Sequence, residues 1–410
     1  MPLGPIIIYD KSAIQGLKVD EAVWLMMFYM ANLTPPFFVE VMADLAKEPP
    51  KRRTAEDVVG NLADKVGALG TKPNIHHSQL CLGDLLGHQV KMNRVPVVGQ
   101  GRPVKMPEGR RGVVFEPAAE MIAFDRWRQR DFLALEREVA GGWRVALQQL
   151  DLEAVYSKLR GLTGGQLKLR TLAEVKAAAE RAAAGDGRRY QALKSALLLL
   201  GIPSQYHTQV IARWKAAGGP PLKDFAPYAH YVFTVELFFY LGLLSNQLAR
   251  TRPSHRVDIA YLYYLPFCMV FTSQDKLHAA VAPLFLGNDQ EFVLGQDLKA
   301  DLAALDAHYS GLPDQVKARG AFKFAAHPPL EGSFLTSQLW DRFNPRWRKR
   351  ASDSVPLTPE LERMLLAKAK ELTEGPTDHA AAAHPPALEQ IEEASFAYKT
   401  ARKVGKWRLF

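Results

Sequence analysis

Four acidic residues of this 410-residue chain are spaced so that they could carry out chemistry on a phosphate ester: Asp10, Glu40, Asp258 and Asp275. Carboxylates gathered in one pocket repel one another and raise each other's pKa, unless a divalent cation neutralises them. Carboxylate oxygens are the hard ligands that Mg²⁺ and Mn²⁺ prefer. A metal held in this way can activate water and stabilise the charge that develops when a phosphodiester is cleaved. The four acids are therefore candidate metal ligands.

Two predicted strands place Asp10 and Asp275 at their carboxyl ends. Residues 5–9 and 267–272 are continuous apolar runs, which are typical of strands buried in a parallel sheet. In open α/β folds, ligands bind at the edge formed by the carboxyl ends of such strands. The pattern predicts an α/β fold with a central parallel sheet.

Predicted helices position the other two acids. Pro35 and Pro36 end one helix and can begin a second, in which Glu40 lies within an apolar turn. Ser254 can cap a further helix that carries Asp258 in its first turn. Both acids would then lie beside the two strands.

Each acid also has an ordinary alternative role, because most acids at strand and helix ends are caps, dipole partners or solvated groups. Asp44 lies one helical turn after Glu40 on the same face, so it could be a ligand, a supporting group or an exposed side chain. Asp297 and Asp301 repeat this spacing, and we predict that they form a solvated helix face. Asp44 and Asp297 stay open as additional ligands.

The order of the acids resembles that of the PIN-like nuclease family. In that family, the first acid follows the first strand, the second lies in the following helical pair, the third opens a helix and the fourth ends a Thr/Ser-x-Asp motif. The matching segments here are 6–12, 33–40, the helix start at Asp258, and 270–275.

The resemblance implies a three-layer α/β/α core and a Mg²⁺- or Mn²⁺-dependent endonuclease that cleaves RNA in preference to DNA. Under it, the catalytic metal ligands are Asp10, Glu40, Asp258 and Asp275. Ser12, Thr272 or Ser273 would support the site through hydroxyl hydrogen bonds. The alternative hypothesis is a degenerate PIN-like core that serves as a non-catalytic scaffold and binds nucleic acid or another protein.

The resemblance predicts a chain divided into a discontinuous core and an insertion. Residues 1–48 and 250–310 would form the core, and 49–249 a mostly helical insertion with short strands near 95–98 and 113–115. Long insertions between elements are tolerated because the entropy of loop closure grows slowly with length. Residues 311–410 would form a basic, partly helical C-terminal region.

Lys and Arg total 52 against 43 Asp and Glu, which gives a net charge of +9 and favours anionic partners. Cations that grip phosphates beside aromatic rings that stack on bases suit single-stranded nucleic acid. The segment 342–350 combines both, and its candidate binding residues are Arg342, Arg346, Trp347, Arg348, Lys349 and Arg350. A solvated surface or a contact with a regulatory protein partner explains the same cluster equally well.

Other kinds of site find little support. His76 and His77 have no Cys or acidic partner at zinc-ligand spacing, and His255 and His278 are isolated, so we predict loop or surface histidines. The chain contains neither a Walker A motif nor a Gly-x-Ser-x-Gly elbow, which disfavours P-loop NTPases and serine hydrolases.

The sequence also bears on compartment. Two cysteines, Cys81 and Cys268, cannot build a disulfide framework, and the first residues do not resemble a signal peptide, so we expect a cytoplasmic protein. The apolar segment 225–249 is long enough to span a bilayer. Because Glu236 and His230 interrupt it, we predict a buried helix and no membrane association.

Overall fold

The computed structural model describes residues 4–67, 71–99, 101–105, 111–115, 117–163, 168–352, 363, 367 and 403–409. Its strands, in chain order, are β1 (Ile6–Tyr9), β2 (Met30–Leu33), β3 (Thr71–Pro73), β4 (Gly101–Lys105), β5 (Arg111–Phe115), β6 (Val270–Ser273), β7 (Glu291–Leu294), β8 (Lys403–Val404) and β9 (Trp407–Arg408). A central parallel sheet has the order β3-β2-β1-β6-β7. The predicted α/β fold with a central parallel sheet is confirmed.

Of the α-helices that the structure describes before residue 250, three precede residue 49 and ten lie within residues 49–249. They are α1 (Lys11–Gly16), α2 (Val19–Phe28), α3 (Pro35–Ala43), α4 (Ala55–Ala63), α5 (His77–Leu86), α6 (Ala119–Arg128), α7 (Ala134–Gln148), α8 (Leu152–Thr163), α9 (Leu172–Ala184), α10 (Arg189–Leu199), α11 (Ser204–Ala216), α12 (Leu222–Phe225) and α13 (Pro227–Leu244).

The later helices follow the return of the chain to the sheet. They are α14 (His255–Ala260), α15 (Lys276–Phe285), α16 (Gly295–Ser310), α17 (Asp314–Lys317), α18 (Ala321–Phe324), α19 (Leu335–Phe343) and α20 (Trp347–Ser352). A 3-10 helix, Tyr261–Phe267, continues directly from α14 and leads towards β6.

Strand β1 lies at the centre of the sheet, and the strand order reverses beside it. Its four residues are buried, as are those of β6, because both strands are covered by packed elements. From β1 the sheet extends through β2 to β3 on one side and through β6 to β7 on the other. The crevice outside the carboxyl ends of strands at such a reversal is the usual ligand site of an open α/β sheet.

The predicted boundary of the core at residue 49 is wrong, because β3 lies beyond it and pairs with β2. Thr71–Pro73 has only three residues, among them a lysine and a proline, so no hydrophobic period marks it as a strand. Residues 113–115 lie in β5, which pairs antiparallel with β4. Residues 95–98, for which we expected a strand, form none.

Helix α13 accounts for the apolar segment. Its side chains are buried on most of its surface, including Glu236, which is 2% exposed. Within the part of the chain that the structure describes, no helix is long and apolar enough to cross a membrane. The expected buried helix is therefore present.

The described end of the C-terminal region packs on the core. Trp407 of β9 lies edge-on to Trp24 of α2, with ring centroids 4.8 Å apart. The indole N–H groups of both tryptophans donate to Asp306 of α16, at 2.7 Å and 3.1 Å. The remaining residues of 353–402, apart from 363 and 367, lie outside the described chain, so the predicted helical content there is not addressed.

The prediction that Asp297 and Asp301 form a solvated face of α16 is correct for the first residue and wrong for the second. Asp297 is exposed, whereas Asp301 is buried. The Asp301 carboxylate accepts hydrogen bonds from the backbone N–H groups of Leu335 and Thr336, at 2.6 Å and 3.0 Å, and so satisfies the start of α19. The sequence could not show this role because its partners lie more than thirty positions away.

Candidate functional site

Asp10 ends β1 and begins α1. Its Oδ1 accepts the backbone N–H of Ala13 at 2.9 Å, the usual bond of a helix N-cap. The hydroxyl of Ser12 lies 2.8 Å from Oδ1 and 2.7 Å from Oδ2. The sheet register pairs Tyr9 with Thr272, so Asp10 lies beside Ser273, whose hydroxyl donates to Oδ2 at 2.6 Å.

His278 is the residue that sequence reasoning missed, and the prediction of a loop or surface histidine is wrong, because it lies buried within α15. Its side chain is fully buried, its Nδ1 lies 3.3 Å from Asp10 Oδ2, and its Nε2 lies 2.8 Å from the backbone carbonyl oxygen of Asp258. Burial lowers the pKa of His278, but hydrogen bonding to Asp10 and the charges of Asp10 and Asp258 outweigh it, so the pKa is raised overall. Its Nδ1 also lies 2.9 Å from the hydroxyl of Ser273, so both ring nitrogens have polar partners.

The pKa of Asp10 shifts in the opposite direction. Burial raises it, but the hydrogen bond and positive charge of His278, with the bonds from Ser273 and Ala13, bring it below its ordinary value. Asp10 is thus a buried carboxylate that stays ionised.

The sequence did contain an indication that His278 is buried, since it shares the buried side of α15 with Val281 and Ala282 at helical spacing.

Of the three hydroxyls expected near the acids, two are in place and one is not. Ser12 and Ser273 bind Asp10, as described above. Thr272 is fully buried, and its hydroxyl has no hydrogen-bond partner among the described residues. Successive side chains of a strand point to opposite faces, so Thr272 faces away from the acid that Ser273 contacts. Of the two alternatives at the end of β6, Ser273 and not Thr272 therefore supports the acid.

Glu40 lies on α3 and is held by a tyrosine. The hydroxyl of Tyr261, at the start of the 3-10 helix, donates to Glu40 Oε2. Burial raises the pKa of Glu40, and the nearby Lys11 and the Tyr261 hydroxyl offset only part of the increase. The Lys11 ammonium lies 3.0 Å from Oδ1 of the buried Asp44. Asp44 therefore forms an ion pair with Lys11 and is not an exposed group.

Asp258, on α14, is under the electrostatic influence of all the other candidate acids. Burial raises its pKa to about 7. The charge of His278 opposes this increase, whereas the carboxylates of Asp275, Glu40 and Asp10 add to it. The fold thus brings together four acids that are far apart in the sequence.

Asp275 caps α15 at the carboxyl end of β6. Its Oδ1 accepts the backbone N–H of Leu277 at 2.6 Å, and its own backbone N–H donates to Ser273 at 2.9 Å. Because Ser273 also bonds Asp10, one hydroxyl connects the ends of β1 and β6. The second oxygen of Asp275 is not used by this cap.

The donor set suits a hard divalent cation. Carboxylates are the ligands of Mg²⁺ and Mn²⁺. Burial is the main cause of the raised pKa values of Glu40 and Asp258, and neighbouring carboxylates add a smaller increase that a cation would relieve. Among the described residues, no three His, Cys, Asp or Glu side chains are already arranged around one metal position, so the residues fit such an ion by their chemistry alone.

The basic cluster of 342–350 is largely used in packing. Trp347 is 1% exposed and its indole donates to Asp341 at 2.8 Å, so our expectation that it stacks on a base is wrong. Arg348 also bonds Asp341, at 2.7 Å, and Arg342 lies 2.6 Å from Glu291.

The other cations of this cluster differ in what the structure shows. Arg346 and Lys349 are exposed. The side chain of Arg350 lies outside the described part. Binding of nucleic acid by these residues and by the two paired arginines stays a prediction.

Comparison with protein-family models, with curated proteins and with solved structures finds no match for this chain.

Proposed function

We propose that this chain is a Mg²⁺- or Mn²⁺-dependent endonuclease with a PIN-like core. The observation that carries the proposal is that Asp10 and Asp275 follow neighbouring strands at the carboxyl edge where the strand order reverses, while the charges of Asp10, Glu40 and Asp275 all act on Asp258. Neighbouring carboxylates repel one another, and a bound cation would relieve that repulsion.

The proposed metal would be held by these four acids, and when bound it would supply an activated water and charge stabilisation at a phosphodiester. The chain's own residues hold the acids in place. Ser12, Ser273 and His278 fix the Asp10 carboxylate and keep it ionised, while Tyr261 fixes Glu40. Such supporting bonds orient ligands and tune their affinity for a metal.

We favour RNA over DNA as substrate on the resemblance to PIN-like nucleases. The net charge of +9 supports a polyanionic substrate of either kind. A cytoplasmic location agrees with the two free, buried cysteines, Cys81 and Cys268.

The test is metal-dependent cleavage of single-stranded RNA, single-stranded DNA and duplexes. We expect wild-type protein to cleave with Mg²⁺ or Mn²⁺ and not with EDTA. Asp10→Asn and Asp275→Asn should each reduce the rate at least about a hundredfold, since loss of a mere supporting group already costs about ten- to a hundredfold in metal affinity.

Asp297→Asn is the matched control, because it removes one exposed acid from α16 and should leave the rate unchanged. Circular dichroism would verify that each variant is folded. Wild-type rates in both Asp10→Asn and Asp275→Asn would contradict the site, and a wild-type protein without cleavage under any metal would contradict the activity.

One observation favours a non-catalytic scaffold as the second candidate. Both oxygens of Asp10 already accept protein hydrogen bonds, from Ala13, Ser12 and Ser273, which is the pattern of a structural cap. A scaffold would bind single-stranded RNA with equal affinity in wild type and Asp275→Asn, with or without metal, and would not cleave it.

A further inference from the structure

Residues 255–267 carry two groups of the proposed site and form no strand, but they contact the sheet, where the Asn32 side chain of β2 donates to the Phe267 carbonyl at 3.0 Å. This segment consists of α14, which holds Asp258, and the 3-10 helix, which holds Tyr261. Short helices have little intrinsic stability, because most helical stability in proteins comes from tertiary packing. The position of the segment must therefore be set by what packs against it.

Helix α13, from the 49–249 region, binds this segment along its length. The hydroxyl of Tyr228 donates to the carbonyl of Tyr263 at 3.1 Å, and that of Tyr231 to the carbonyl of Leu262 at 2.8 Å. In a 3-10 helix the carbonyl of Tyr263 would accept from the residue three positions on, but Pro266 has no N–H, so the Tyr228 hydroxyl satisfies a carbonyl that the helix itself cannot.

An ion pair between a buried glutamate and a partly exposed arginine completes the contact. Glu236 of α13 is 2% exposed, and its Oε1 lies 2.7 Å from Nη2 of Arg256 on α14. The Tyr263 hydroxyl donates to the same oxygen and accepts from Arg256 Nη1 at 2.9 Å. The guanidinium also lies over the ring of Phe239, 5.2 Å from its centroid. Removing the charge of Glu236 would leave the Arg256 guanidinium without its carboxylate partner and free this side of α14.

Arg256 and Asp258 are two positions apart, which places them on opposite sides of α14, since each residue turns the helix by about 100°. One side of α14 is thus bound by α13, and the other faces the acids. His278 holds the acid-facing side through the Asp258 carbonyl at 2.8 Å.

Helix α13 is itself fixed at its start. Asp84 of α5 is buried, and its Oδ2 accepts the backbone N–H groups of Tyr228 and Ala229 at 2.8 Å and 3.0 Å. A carboxylate at the amino end of a helix satisfies free N–H groups and interacts favourably with the helix dipole. The support of α14 therefore extends back to α5, directly after β3.

We propose that Glu236 is a positioning residue for the acidic site, and that α13 acts through Arg256 and Tyr263 to hold Asp258 and Tyr261 in place. The 49–249 region then contributes, through α13, to the geometry of the acidic site. This proposal rests on the proposed function for its catalytic meaning, but the geometry it describes can be tested without activity.

The test compares Glu236→Gln with Ser245→Ala in the full-length chain. Gln keeps the shape of Glu236 but removes its charge. Ser245 is a buried hydroxyl at the other end of the same helix and bonds only within α13, so it is the matched control. Hydrogen exchange of the amides of 256–262 and the apparent Kd for Mn²⁺ are measured for each.

We expect Glu236→Gln to raise exchange in 256–262 and to weaken Mn²⁺ binding about tenfold, as the loss of other ligand-supporting groups does. Ser245→Ala should change neither. Adding Glu236→Gln to Asp258→Asn should give no further loss of Mn²⁺ affinity, because the effect passes through Asp258. Equal exchange and equal Kd in Glu236→Gln and Ser245→Ala would overturn the proposal.

Tyr231→Phe keeps the test decisive if Glu236→Gln fails to fold, because it removes only the hydroxyl that binds Leu262. It should raise exchange in the same amides, and unchanged exchange would again overturn the proposal. If wild-type protein binds no Mn²⁺, the proposed function fails, while the exchange data still decide whether α13 positions α14.

Discussion

His278 Nδ1 lies 3.3 Å from Asp10 Oδ2, and both side chains are shielded from solvent. This pair joins α15 to the end of β1, the central strand of the sheet. It also keeps Asp10 ionised in a setting where burial alone would favour its protonation. The pair is therefore important both for the fold and for any metal that Asp10 binds.

Replacing His278 with Asn should destabilise the protein markedly. The change leaves the Asp10 charge buried without its partner, and the loss expected for breaking a buried ion pair is about 3–5 kcal/mol in free energy of unfolding. Urea denaturation measures it. His308→Asn, a change at an exposed histidine of α16, should be nearly neutral. A His278→Asn protein as stable as His308→Asn would contradict the ion pair.

The contribution of this pair should depend on pH. Because the pKa of His278 is raised above 6.5 in the folded state, its stabilising effect is fully present below that unfolded value and is lost as pH rises through the folded pKa. The difference in unfolding free energy between wild type and His278→Asn should thus be larger at about pH 5.5 than at about pH 9. An equal difference at both would show that the ring is neutral.

Metal binding should strengthen as pH rises through the pKa of Asp258. With this pKa near 7, the acid is largely protonated below neutrality, and a metal must displace that proton. We expect the Kd for Mn²⁺ to fall up to about tenfold per pH unit below pH 7 and to level off above it. Calorimetric titration measures this, and Asp258→Asn should flatten the dependence. A steep dependence that survives in Asp258→Asn would assign the proton to another group.

Trp347 and Arg346 should behave differently although they are neighbours. Trp347→Ala removes a buried ring that packs on Trp340 and should lower the free energy of unfolding by about 3–5 kcal/mol. Arg346→Ala changes an exposed side chain and should leave stability within about 0.5 kcal/mol. Chemical denaturation compares the two. A Trp347→Ala protein of wild-type stability would restore the ring as a candidate for base stacking.

The strands that carry the acids were predictable because β1 and β6 are unbroken apolar runs with an acid at the end. β3 was not, since three residues containing Lys72 and Pro73 have no recognisable period. Side-chain contacts between residues far apart in the chain could not be predicted either. Asp10 could be selected as a candidate, but its contact with His278 joins positions 268 apart in the chain and depends on the sheet register.

The cluster around Arg342–Arg350 shows a different limit. Its composition matches a nucleic-acid surface, but composition does not reveal burial. Asp341, which binds both Trp347 and Arg348, was the local signal that this segment packs upon itself. A basic run that directly follows an acid able to pair with it is therefore weaker support for a binding surface than the same run without that acid.

The most direct test of the proposed metal site is the position of Mn²⁺ in crystals of the protein, found from its anomalous scattering. We expect a Mn²⁺ ion bound by carboxylate oxygens of both Asp10 and Asp275, at distances of about 2.0–2.3 Å. We also expect this ion to disappear in Asp275→Asn. Crystals soaked in Mn²⁺ that show no ion between these two carboxylates would contradict the proposed site.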